Sequence, residues 1–169
     1  FDSENIQHVN KTIDPVNDLE TIKTEIILSD INQLEKKLHK SNRKKISGKE
    51  LNLLETVLKK LNNGNELNDL NDKNDQKILK EIGLISTKPY IIVNNVDETN
   101  VKSGNKYTET LKKKYPDKKQ IIICADIEDQ ITELKPEERE TYMKNIGLKK
   151  TGLNKLIKAG YDLLDLNTF

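Results

Sequence analysis

Apolar positions along the chain follow two rhythms, and the change between them marks its organisation. From Asp14 to Gly64 they recur every three or four residues, the period of a helix face. Asp14-Pro15 predicts a helix start, with a carboxylate at the N-cap and proline at the first helical position. Leu19, Ile22 and Ile26 make one stripe; Ile27, Ile31, Leu34 and Leu38 make a second with heptad spacing. Ser47 predicts the next N-cap, with Glu50 completing a capping box. That helix carries Leu51, Leu54, Leu58 and Leu61 and stops at Gly64. Two such helices predict an antiparallel hairpin, which without a third layer would project as a coiled coil. An Asn/Asp-rich loop and a short helix, Asp75 to Ile82, return the chain to its second part.

There the rhythm becomes an unbroken β-branched run. Lys88-Pro-Tyr-Ile-Ile-Val-Asn-Asn-Val-Asp-Glu98 predicts a strand over Tyr90 to Val93, covered on both faces, ending in a polar turn. A helix from Asn105 to Tyr115 leads to a second strand, Lys119 to Cys124. Strand, helix and strand predict a parallel crossover. Further helices start at Ala125-Asp126, with Ile127, Ile131 and Leu134 on one face, at Pro136, and after Thr151. The last carries Leu153, Leu156, Ile157, Gly160 and Leu164. Ile6 to Val9 predicts the end of another strand. The whole reads as an α/β domain interrupted by a helical insertion: 1–13 and 87–169 form the α/β part and 14–86 the insertion.

Ligands of open α/β sheets sit beyond the carboxyl ends of the strands. Both predicted strands end in polar turns, Asn95-Val-Asp-Glu98 and Cys124-Ala-Asp126. A carboxamide offers donor and acceptor and a carboxylate only acceptors, which suits the edge of a nucleotide base. The small Cys124 and Ala125 would let backbone approach a flat ring. The competing reading is a turn and capping cluster. At the hairpin tip, Lys36, Lys37, Lys40, Arg43, Lys44 and Lys45 form a basic segment. It suits either a solvated tip or phosphate contacts on RNA or DNA.

Composition narrows the classes. A net charge of +1 excludes a globally basic nucleic-acid binder, and one cysteine excludes an internal disulfide. With two distant histidines there is no metal-ligand spacing, and no Gly-x-x-x-x-Gly-Lys-Ser/Thr loop is present to hold phosphates. No apolar run reaches the roughly 18 residues of a membrane span. The expectation is a monomer with no membrane partner. The start at Phe-Asp-Ser-Glu suggests an excerpt of a longer protein.

Asn5-Ile-Gln-His-Val9, Ile13-Asp-Pro-Val16, the Lys88–Glu98 stretch, Cys124-Ala-Asp-Ile-Glu128, Glu133-Leu134 and Gly152-Leu-Asn-Lys-Leu-Ile-Lys-Ala-Gly-Tyr161 together resemble the YchF family of ATPases, relatives of the Obg group of P-loop GTPases. The resemblance implies a partial Ras-like P-loop nucleotide-binding domain with an inserted α-helical coiled-coil hairpin. It implies a phosphate loop, switches and Mg²⁺ ligands ahead of Phe1 and a TGS-type domain after Phe169. It implies a cytoplasmic, ribosome-associated hydrolase of ATP, in preference to GTP, touching ribosomal RNA or protein. The GTPase Asn-Lys-x-Asp is replaced by Asn-x-x-Glu, so Asn95, Val96 and Glu98 would read the base, Val96 packing on its face where the lysine would stack. Cys124 and Ala125 would supply backbone opposite. Asp126 departs from the small residue common at its place. No catalytic residue is expected within the segment. The rival reading is a non-catalytic helical hairpin that binds RNA or protein.

Overall fold

The computed structural model describes residues 13–39, 46–67, 70 and 72–167. The strand end predicted over Ile6 to Val9 lies outside them. The chain divides into two compact units: Asn17–Pro89, and the chain on either side of it.

The first unit is helical. Helix α1 spans Pro15–Leu38, α2 spans Gly48–Asn62 and α3 spans Lys73–Ile82. Its core gathers Leu34, Leu54, Val57, Leu61, Leu67, Leu79 and Leu84, with Ile27, Ile31, Leu38 and Leu58 packed around them. Two expectations change here. Leu79 of α3 and Leu84 after it enter the same core, so a third layer covers the hairpin. The stripe of α2 turns toward Val57, which is fully buried, while Leu58 stays at the margin. Ile22 of the first predicted stripe is exposed.

Polar groups also tie this unit together. Asp30 is fully buried on α1. Its carboxylate accepts from the Ile85 and Ser86 amides at 2.9 and 2.8 Å. Asp72 caps α3 by accepting from the Asn74 and Asp75 amides, and Gly83 ends it at φ 85°, a left-handed conformation that glycine adopts without a Cβ penalty. Ser47 accepts from the Glu50 amide as predicted, but the Glu50 carboxylate pairs with Lys37 at 3.1 Å instead of completing a capping box.

The second unit holds strands β1, Ile92–Asn95, and β2, Gln120–Ile123, paired in parallel with Asn95 opposite Ile123. Helix α4, Lys106–Lys114, connects them. Helices α5, Ala125–Glu133, α6, Pro136–Asn145, and α7, Gly152–Leu164, follow. Among the described residues the sheet has these two strands. The double-sided cover expected for the first strand is not seen: burial alternates along β1 and Val93 is 41% exposed. The Val93 face is covered at β2, where Ile121 is buried and α7 packs, while the opposite face meets a core. That core is Val96, Val101, Cys124, Ile127, Ile131 and Leu148. The stripe read on α7 also turns outward, with Leu153, Ile157 and Leu164 exposed, and Ala159 is the buried side chain instead.

Candidate functional site

Both strands end at the same level, so the register places Asn95 beside the start of α5. Asn95 Oδ1 accepts from the Ala125 amide at 3.0 Å. An amide hydrogen can bond only to the carboxamide oxygen, so this contact fixes which way the side chain faces. It leaves the Asn95 amide nitrogen as a donor at the strand's end. Neighbouring Asn94 is buried and donates to Gln120 Oε1 at 3.4 Å. Gln120 in turn donates to the Leu111 and Tyr115 carbonyls closing α4. The two adjacent asparagines therefore do different work, one securing the sheet and one standing at its edge.

The turn after β1 is built by Asp97. It caps the 3₁₀ turn Glu98–Asn100, accepting from the Thr99 hydroxyl at 2.7 Å, the Asn100 amide at 2.9 Å and the Asn100 side chain at 2.8 Å. These donors, the Thr99 hydroxyl foremost, hold the Asp97 carboxyl below its ordinary range. The capping alternative is thus correct for Asp97. Glu98, next along, is exposed, and its Oε1 accepts from Gln130 Nε2 of α5 at 2.9 Å.

Val96 needs correction. It is 4% exposed and belongs to the core with Cys124 and Ile127, so its side chain is not presented to a ring. The β1 direction alternates sides, and the residue after outward Asn95 must point inward. Cys124 is also fully buried, leaving backbone as its contribution to the edge. Ala125 begins α5, and Asp126 sits exposed in its first turn, where a carboxylate complements the helix dipole.

The N-terminus of α7 is tied to the same region. Glu128 accepts from the Gly152 and Leu153 amides at 2.6 and 3.0 Å. A Cβ on Gly152 would lie 2.7 Å from Ile123 Cγ2, so only glycine lets α7 approach β2 this closely. Glu128 closes the Cys124–Glu128 motif, but no local spacing marks its role or that of Gln130, since each contacts residues far along the chain.

Of the basic segment, Lys36 and Lys37 lie in the last turn of α1, and Lys37 is paired with Glu50. Lys40, Arg43, Lys44 and Lys45 fall outside the described residues. Among the described residues no group of three or more His, Cys, Asp or Glu could hold a metal, and no helix is long and apolar enough to cross a membrane.

No family model matches the chain. Curated relatives do. Over its full length the chain is 34% identical to the Ribosome-binding ATPase YchF of Bacillus subtilis (strain 168), covering 49% of that protein. It is 36% identical to the protein of the same name from Mycoplasma genitalium, again over the full chain and 49% of the relative. The chain belongs to the YchF family. A solved structure, the YchF GTPase of Schizosaccharomyces pombe, superposes with a TM-score of 0.79 over 96% of the chain and 47% of that protein, at 25% identity. The mostly helical α/β fold with a small parallel sheet is therefore that of a YchF protein. The chain spans about half the length of the YchF relatives it matches.

Proposed function

We propose that this chain is the base-reading and helical-insertion segment of a ribosome-associated YchF ATPase that prefers ATP to GTP. The observation that carries the reading is the Asn95–Ala125 bond, which aims a fixed amide donor outward between two parallel strand ends. Such a donor suits the purine N7, an acceptor in both adenine and guanine. Discrimination then falls to Glu98, an acceptor-only group beyond it. Guanine presents two adjacent donors, N1–H and its exocyclic amine, and the shorter aspartate of GTPases fits that pair. Adenine presents one exocyclic amine and an acceptor. Backbone at Cys124 and Ala125 borders the ring. The insertion lies between two parts of a Ras-like P-loop domain, and its basic segment, Lys36 to Lys45, would be the part that meets ribosomal RNA or protein. The relatives named ribosome-binding ATPases support that partner and the nucleotide substrate; we take the protein to be cytoplasmic and monomeric.

Hydrolysis of ATP also calls for Mg²⁺ and a phosphate cradle. The part assigned here to this segment is to hold and choose the base.

Calorimetry of the full-length polypeptide with ATP and GTP tests the reading. Wild type should bind ATP more tightly. Asn95→Ala should weaken both nucleotides about tenfold, the loss of one well-placed hydrogen bond at about 1.4 kcal/mol. Glu98→Asp should shift the preference toward GTP, within the ~1–3 kcal/mol of a bidentate base contact. Strong GTP preference in wild type, unchanged in Glu98→Asp, would contradict it. Co-sedimentation with ribosomes that ignores nucleotide would favour the non-catalytic hairpin instead.

A further inference from the structure

Glu98 is not a free carboxylate. Its Oε1 is taken by Gln130 Nε2 at 2.9 Å, and Gln130 Oε1 accepts from the Tyr142 hydroxyl. Tyr142 is half-buried and packs against the Val96, Cys124 and Ile127 core. Three elements are linked: the turn after β1, the middle of α5, and α6. The polarity of the chain is set from its ends. A carboxylate only accepts, so Gln130 must offer it the amide nitrogen, and the carbonyl oxygen must then face Tyr142, whose hydroxyl donates. Both ends of Gln130 are occupied, and its orientation is fixed.

We propose that Gln130, held by Tyr142, is a specificity-determining positioning residue that leaves Glu98 a single unencumbered acceptor oxygen and so disfavours guanine. The inference rests on Glu98 reading the base. Guanine needs two acceptors side by side for its N1–H and exocyclic amine. With one Oε1 lone pair engaged, Oε2 is the only unencumbered oxygen, and a guanine must share Oε1 with Gln130 or displace it. Adenine has one amine to satisfy and loses nothing. The relay also anchors an exposed side chain to a packed phenol, which lowers the entropy lost when the base arrives. Gln130 touches Glu98, not the base, so it acts through the carboxylate.

The test is the ratio of ADP to GDP affinity, measured by calorimetry on the full-length polypeptide, with thermal melting alongside. Gln130→Leu keeps the bulk of an exposed side chain and frees Oε1. It should move the ratio toward GDP about three- to tenfold, the range of a single hydrogen bond, with little change in melting temperature. Tyr142→Phe keeps the ring's packing and should move the ratio the same way by about twofold. In the Glu98→Ala background, Gln130→Leu should have no further effect, because the two residues act as one unit. A ratio unchanged in Gln130→Leu, while Glu98→Ala alters it, would overturn the relay and leave base reading by Glu98 standing. Equal loss of ADP and GDP affinity in Gln130→Leu would overturn the relay too. A ratio insensitive to Glu98→Ala would remove the base reading and the relay with it.

Discussion

Asp97 and Glu98 are adjacent carboxylates with opposite surroundings. Asp97 collects the Thr99 hydroxyl and the Asn100 backbone and side-chain donors, and Glu98 meets one amide and solvent. Asp97 thereby shapes the turn from which Glu98 extends. Because its folded pKa is depressed, its contribution is present above the unfolded carboxylate value and is lost as pH falls through the lower folded value. An NMR titration should find the Asp97 midpoint below the ordinary aspartate value. Asp97→Ala should speed amide exchange at Asn100 about fivefold, as loss of an N-cap of about 1 kcal/mol would. Exchange unchanged in that variant would mean the turn holds without its cap. In sequence, Asn95, Asp97 and Glu98 are legible as a polar turn after a strand, but their separate roles are not. One-dimensional spacing cannot say which carboxylate the amides of the same turn will consume.

At the scale of elements, helix existence follows periodicity and caps, while helix facing follows neighbours. Ser47, Asn105 and Thr151 all cap helices where the local chemistry predicts, whereas Asp72 caps α3 ahead of the start predicted at Asp75. By contrast, the α2 stripe rotates to bury Val57 because α3 adds Leu79 to the same core. Asp30 of α1 was invisible to a reading of apolar stripes, since its partners are 55 and 56 residues away. Removing it leaves two amides without an acceptor. Asp30→Ala should destabilise the Asn17–Pro89 unit by about 2–4 kcal/mol, read by urea denaturation followed with a probe in that unit. Asp30→Asn, which keeps one acceptor oxygen, should cost less. Equal stability of wild type and Asp30→Ala would show that Ile85 and Ser86 find other partners.

For the whole molecule, the family and the absence of a phosphate loop pull in one direction. Phosphoryl transfer depends on positioned phosphates, a metal and an oriented water. The 169-residue chain carries no Gly-x-x-x-x-Gly-Lys-Ser/Thr loop. Purified alone, it should hydrolyse no ATP above background in the presence of Mg²⁺; magnesium-dependent release of phosphate would refute this. The outward turn of α7 belongs to this scale as well. Leu153, Ile157, Tyr161 and Leu164 repeat at helix-face spacing yet are exposed, although the same periodicity in α1 and α2 marks a core.

By itself the sequence determined that these helices and strands exist and where they lie to within a few residues, because caps, prolines and apolar rhythm act locally. Strand β1 runs Ile92–Asn95, two residues later than its apolar run, and takes in both asparagines. The sequence also determined the family, because motifs spread along the chain are jointly specific. Only tertiary structure decided that Val96 turns into the core, that α3 closes the helical unit, and that Gln130 reaches Glu98 across 32 residues. Those outcomes depend on which surfaces meet in space, and a hydrogen bond or a packed methyl group carries no mark of its distant partner in the local sequence.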